Sequence, residues 1–387
     1  MHPKIYLKQG KDASVKRGHP WIFSGAIKEV PTITDGRAVH VYNYKGQELG
    51  TGHFQNGSIA IRMLTNDIRE IDLEFYQERL VKALERRRIS GYYPLDDQNS
   101  AFRLVHAEGD DLPGLIIDIY NDIAVIQPHS VGMYSDLSPI SKALDAIFQN
   151  NLETIYYRTP VQDGQNGYLK GSQTQTKILE NGLIFGIDIV AGQKTGFFLD
   201  QRDNRLLVGS YSKGKKVLNA FSYTGGFTLY AIRAGALVVD SVDISKSAIE
   251  QLESNVHLNF DSSTIKAHHY AEDVINYLKN SDQVYDLMIV DPPAYAKNLR
   301  KKHNAVQGYK RLNALAMKKI ARNGCLFTFS CSQVIDSQLF LDTLVSAGME
   351  SGRKIKVLRK LSQPADHPVN LYHPEGSYLK GFLLLVE

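Results

Sequence analysis

Residues 285–293 read YDLMIVDPP, an apolar run closed by one acid and two prolines. Leu287 to Val290 are too few for a helix and rich in aliphatics, which suits a strand buried on both faces. Pro292 and Pro293 cannot extend a sheet ladder, so the strand stops at Asp291. A strand covered on both faces belongs to a parallel sheet with crossover helices. Asp291 then sits at the carboxyl edge of that sheet, where open α/β folds bind ligands.

The surrounding sequence has the matching alternation from about residue 190 onward. Strands are predicted at KKVLNAF, LVVDSVD, TIKAHHY, YDLMIVD and CLFTFS. Helices are predicted at 227–234, 245–258, 274–278, 313–320 and 338–347, the second with Ala248, Leu252 and Val256 along one stripe. With 387 residues the chain has room for two or three domains.

Residues 1–70 read as a small β-rich unit, with β-branched and aromatic residues between glycine turns. Its Trp21 is expected to be a core anchor. Residues 72–88 carry Leu73, Tyr76, Leu80 and Leu84 at helical spacing, then three arginines and Gly91 as a stop. Residues 101–190 form a second mixed unit ending in a hairpin on Asn181-Gly182. His106, Glu108, Asp110 and Asp111 read as turn residues, because no second histidine stands at a ligand spacing, and no metal is expected.

Three acids close three successive strands: Asp243, Asp273 and Asp291. Before them, NAFSYTGGFT at 219–228 takes a strand into a paired-glycine turn and then a helix. That turn matches neither a P-loop nor GxGxxG. Asp243 stands where an acid meets ribose hydroxyls in doubly wound folds, and Asp273 where one accepts from an adenine amine. Helix capping is the plainer reading of both.

Taken in order, NAFSYTGGF, SVDIS, YDLMIVDPPAYAK and FTFSCS resemble class I S-adenosylmethionine-dependent methyltransferases. With GHPWIFSGAI, KTGFFLDQRDNR and ADHPVNLYHPEGSYLKGF they are similar to the bacterial 23S rRNA cytosine-C5 methyltransferases that carry a PUA domain. The resemblance implies an α/β protein with three parts: a PUA-like RNA-binding domain at 1–70, a central α+β domain at 71–190, and a Rossmann-like methyltransferase domain at 191–387 ending in an antiparallel strand pair. It implies that Asn219, Phe221, Ser222, Thr224, Gly225, Asp243, Ile244, Asp273 and Asp291 bind S-adenosyl-L-methionine. One departure is Ala294, where relatives have lysine after DPP; Lys297 is the partial substitute.

The two cysteines, Cys325 and Cys331, have no metal-binding spacing. A six-residue strand spans roughly 20 Å, so CLFTFS would put Cys325 at the far edge and Cys331 at the carboxyl edge with Asp291. Cys325 is expected to be a buried apolar residue. The resemblance assigns Cys331 as the nucleophile. Cytosine C5 is a poor nucleophile until a thiolate adds to C6, and Asp291 would stabilise the charge that develops on the ring. A helix N-terminus near Asp336 or a cation would have to ionise the thiol.

Residues 295–311 read as a basic surface loop with Lys297, Arg300, Lys301, Lys302, Lys310 and Arg311 among Tyr295 and Tyr309. Such a stretch grips single-stranded RNA, or is a solvated face. Pro292, Pro293 and Arg202 join it as substrate residues on the resemblance, which places Gln201 with Arg202 near the cofactor or substrate, while Asp200 is expected to cap the helix that Arg202 opens. A net charge of +4 is compatible with an RNA partner without requiring one. No apolar run reaches membrane-span length and the start lacks a signal peptide's core, so a cytoplasmic protein is expected, with a homodimer left open. Two rivals stand beside the rRNA (cytosine-C5) reading: an amino-group methyltransferase acting on adenine N6 or guanine N2, and a non-catalytic RNA-binding assembly factor.

Overall fold

The structure, a computed structural model, describes residues 2–29, 32–261, 263–296 and 298–387, without the Leu299 side chain. Its packing divides into two units. The first comprises Met1–Leu179, Ile187–Leu199 and Ala365–Gly376; the second comprises Glu180–Gly186, Asp200–Pro364 and Ser377–Glu387. The chain thus crosses between units near 180–200 and again near 365–376.

In the first unit, strands Lys4–Tyr6, Ala38–Tyr42, Glu48–Phe54, Ile59–Thr65 and Trp21–Phe23 form a five-stranded sheet in that spatial order. The helix Leu73–Ile89 follows, capped by Asp72, whose side chain accepts from the Phe75 N–H. It stops before Gly91, which takes φ +79°. A second sheet is ordered Gly167–Lys170, Thr154–Tyr157, Ile123–Pro128, Leu115–Tyr120, Ala101–His106. Buried Arg87 forks onto Asp110 with two bonds of 2.6 Å. Trp21 is only half-buried: its indole N–H donates to Glu108 at 2.9 Å, and its ring packs on His373. The Asn181-Gly182 hairpin forms as predicted, with φ +49° and +78° at the two turn residues.

The second unit is a seven-stranded sheet flanked by helices. Its strands are β1 (Lys216–Ala220), β2 (Val238–Asp243), β3 (Ala267–Ala271), β4 (Tyr285–Val290), β5 (Ile320–Ser330), β6 (Ile355–Leu361) and β7 (Lys380–Val386). Its longer helices are α1 (Arg202–Ser212), α2 (Gly226–Arg233), α3 (Lys246–Asn259), α4 (Val274–Asn280), α5 (Lys302–Lys319) and α6 (Ser337–Ser351). The spatial order is β3-β2-β1-β4-β5-β7-β6. β7 alone runs antiparallel between β5 and β6, giving the expected antiparallel pair. Along β4, Leu287 and Ile289 join an apolar cluster with α1 and α2, while Met288 and Val290 join one with α4, α5 and α6. Both faces are covered, which is why the run shows no polar alternation.

Two expectations are corrected here. Residues 302–311 are not loop: α5 begins at Lys302 and buries Ala305, Tyr309 and Leu312 at spacings of four and three. β5 has eleven residues rather than six, so Cys325 lies mid-sheet opposite Leu287 and not at the far edge. Burial pushes the Cys325 thiol pKa up, as expected of a small apolar core residue.

Candidate active site

The order of strands reverses between β1 and β4, and the crevice beyond their carboxyl ends is the binding edge of such a sheet. After β1 the chain turns through Phe221, Tyr223 and Gly225, all with positive φ (62°, 46° and 86°). Only glycine fits the last position, since a Cβ on Gly225 would meet Leu252 Cγ at 2.6 Å. Asp243 holds this turn in place. Its carboxylate accepts from the Tyr223 N–H and the Ser245 N–H, both at 2.9 Å. Thr224 is buried, and its carbonyl accepts from Asn255 at 2.9 Å. Two polar atoms here, Asn219 Oδ1 at the end of β1 and Ser222 Oγ in the turn, are buried without a hydrogen bond among the described residues. A buried oxygen without a partner is costly, so these two suit a bound ligand.

Asp273 caps α4, accepting from the Asn276 N–H at 2.9 Å, so the capping role is real. It is also close enough to Tyr295 to act on its phenol, whose pKa burial first, and Asp273 second, push up to about 12. Ile244 is 74% exposed on the rim beyond β2.

Asp291 and Cys331 come from neighbouring strand tips. Ala220 pairs with Val290, and Val290 with Thr328. Continued by one residue, that register sets Asp291 level with Phe329, and Cys331 two residues further out. Two residues of strand are roughly 7 Å. The Gln201 amide donates to Asp291 Oδ2 at 2.9 Å. Asn204 in turn donates to Gln201 Oε1 at 2.7 Å and to the Ser362 carbonyl at 3.2 Å. Ser332, next to Cys331, donates to the Ala296 carbonyl at 2.7 Å and so ties the turn after β5 to the segment after Asp291.

The helix α1 that starts just after Gln201 is anchored by buried Glu180. Arg205 grips it with bonds of 2.7 and 2.6 Å, and Arg202 adds one at 3.2 Å. Burial alone would raise the Glu180 pKa; the two guanidiniums outweigh it and hold the carboxyl below its ordinary value. Removing one member of such a pair typically costs about 3–5 kcal/mol.

Several expected substrate contacts are corrected. Arg202 is 4% exposed and committed to Glu180, so it presents nothing to RNA. Tyr309 is fully buried, packed on Tyr295 at 4.7 Å and Phe340 at 5.4 Å, and cannot stack on a base. Asp200 is not a helix cap; it accepts from the Tyr378 hydroxyl at 2.5 Å. Lys310 pairs with Glu350 at 2.9 Å. Arg300 and Lys301 are exposed in the short turn before α5, Tyr295 is half-buried, Pro292 is buried and Pro293 exposed. Lys297 lies outside the described residues.

Sequence reasoning overlooked Lys380. It opens β7 opposite Ser330, is buried, and donates to the carbonyls of Ser332 and Tyr378. A lone lysine before the apolar run GFLLLV was the only local signal.

A profile of the S-adenosylmethionine-dependent methyltransferase family matches residues 150–373, and a PUA-like domain profile matches residues 5–66. A protein of Vibrio cholerae named ribosomal RNA large subunit methyltransferase I is 37% identical, over 99% of this chain and 99% of its own. A putative methyltransferase structure from Streptococcus mutans superimposes with TM-score 0.85 at 23% identity, over 99% of this chain and 100% of its own. Another putative methyltransferase, solved in complex with SAH, gives TM-score 0.86 at 24% identity over 99% and 100%. At these identities the two structures speak to the fold alone.

Proposed function

The chain belongs to the S-adenosylmethionine-dependent methyltransferases, with a PUA-like domain at its amino end, and we propose that it forms 5-methylcytosine in 23S ribosomal RNA. The observation that carries this reading is the placing of Asp291 and Cys331 on adjacent parallel strand tips at the binding edge. The relative named for the large ribosomal subunit RNA, matched end to end, supports the substrate class.

The residues present fit the cofactor. Asn219 Oδ1 and Ser222 Oγ are buried acceptors awaiting donors, and the Phe221–Gly225 turn brings backbone close to the crevice. A carboxylate has about four acceptor sites, so the two backbone bonds to Asp243 leave capacity for ribose hydroxyls. Asp273 and the rim residue Ile244 would meet the adenine. S-adenosylmethionine supplies an electrophilic methyl group on a sulfonium.

The chain's own residues then act on the base. The Cys331 thiolate adds to cytosine C6, and the displaced electron pair makes C5 nucleophilic. Asp291 holds the N3 edge and exocyclic amine and stabilises charge on the ring. Once C5 carries the methyl group, a base removes the C5 proton, the C5–C6 double bond re-forms and the thiolate leaves. Arg300 and Lys301 neutralise phosphates, and Tyr295 meets the base after it is turned out of its stack. In this reading 1–70 captures RNA, 71–190 is a central part, and 191–387 carries the chemistry together with the Arg300 and Lys301 contacts. Action on ribosomal RNA implies a cytoplasmic setting; among the described residues no helix is long and apolar enough to cross a membrane.

Nucleoside mass spectrometry of rRNA from cells lacking the protein tests the reading. Loss of one 5-methylcytidine from 23S RNA is expected. Loss of an N-methylated purine instead would favour the amino-group rival, and no change would favour an assembly factor.

A further inference from the structure

Lys380 is 7% exposed, yet its ammonium meets only neutral acceptors: the Ser332 carbonyl at 2.7 Å and the Tyr378 carbonyl at 2.6 Å. Among the described residues it forms no ion pair. A buried cation without an anion is a costly arrangement that folds rarely keep unless something uses it. The ionisable group next in the chain to that carbonyl is the Cys331 thiol, just before Ser332. Lys380 faces Ser330 across the β5/β7 ladder and reaches past it to the carbonyl of Ser332, the residue after Cys331, and Cys331 is near enough to act on the ammonium electrostatically.

The other ionisable groups around the pair are accounted for. Asp336, at the start of α6, is exposed and accepts from the Leu339 N–H at 2.8 Å. Asp291, on the tip of β4, accepts from Gln201. Burial pushes the phenols of Tyr309 and Tyr295, from α5 and the segment after β4, upward, so both stay neutral. The Tyr378 hydroxyl is bonded to Asp200. Burial pushes the Lys380 ammonium down to about 8, while Cys331 and Asp336 pull the other way. It therefore remains charged at pH 7.

We propose that Lys380 is the fixed counter-ion of the Cys331 thiolate, a positioning residue that holds the sulfur in its nucleophilic, negatively charged form. The thiol proton leaves to solvent and the ammonium keeps its own. The proposal rests on reading Cys331 as the nucleophile.

The test is the pH profile of iodoacetamide alkylation of Cys331 in full-length protein carrying Cys325→Ala. Lys380→Met removes charge and donor together, Lys380→Gln keeps a donor, and Lys380→Arg keeps the charge. Folding of each is checked by its thermal melt and S-adenosylhomocysteine binding. The midpoint is expected to rise by one unit or more in the Met and Gln variants, so that the thiolate fraction at pH 7 falls about tenfold, and to stay low with Arg. An unchanged midpoint in a folded Met or Gln variant overturns the proposal. Failure of the underlying reading looks different: Cys331→Ala would keep methyl transfer, whatever the thiol titration showed.

Discussion

Gln201 donates to Asp291 Oδ2 at 2.9 Å, and Asn204 fixes which way that amide faces by donating to its oxygen at 2.7 Å. In the proposed mechanism the carboxylate is thus aimed before a base arrives. Small misplacement of a group that must meet a reacting ring costs about a hundredfold in rate. Gln201→Ala is expected to lower kcat by about ten- to a hundredfold with little change in S-adenosylmethionine affinity. Gln201→Glu, which sets two carboxylates together, should be worse. Single-turnover methylation with calorimetry of cofactor binding separates the two effects.

Gly225 takes φ +86° with Leu252 2.6 Å from where a Cβ would stand. Gly225→Ala must distort the turn that carries Ser222 and follows Asn219, at a cost of about 1–3 kcal/mol. Thermal melting should show a modest loss, whereas calorimetry should show cofactor affinity reduced far more than the melt suggests. Equal affinity in the variant would remove the turn from the cofactor site.

Arg300 and Lys301 are exposed before α5, while Lys310 is paired with Glu350. Reversing both charges, Arg300→Glu with Lys301→Glu, should weaken RNA binding and flatten its dependence on salt, by about one unit of slope per lost phosphate contact. Lys310→Glu should do much less. Filter binding at four salt concentrations distinguishes them; indifference of the double variant would rule out this turn as the grip.

How much of this was legible before the fold was known varies by residue. β4 could be read because its apolar run is uninterrupted and bounded by prolines, and both faces are indeed covered. The first half of α5 could not, because charges and Gly308 mask a buried stripe at Ala305, Tyr309 and Leu312. Those two spacings were the available signal, and following them would also have shown Tyr309 turned inward. Arg202 was misassigned because its partner, Glu180, lies 22 residues away in a hairpin whose packing no local pattern reveals. Lys380 was invisible for the same reason: only the antiparallel register of β5 and β7 brings it opposite Ser330 at this strand tip.

Lys380 also gives a pH prediction. An unfolded lysine titrates near 10.4, the folded one near 8, so between those values the unfolded chain binds more protons and stability rises with pH. Below about pH 8 both forms are charged and the full cost of burial is present. Wild type should therefore gain stability relative to Lys380→Met as pH rises from 7 to 10. Denaturant titrations at both pH values check the sign, and a constant difference would mean the amine is not strained in the fold.

The most direct measurement is covalent trapping on RNA containing 5-fluorocytidine in the presence of S-adenosylmethionine. Fluorine at C5 cannot leave as a proton does, so the thioether to C6 should persist through denaturing electrophoresis. A band of protein–RNA adduct is expected from wild type and from Cys325→Ala, and none from Cys331→Ala. An adduct that survives Cys331→Ala, or an active wild type that forms no adduct, would contradict the role given to this sulfur.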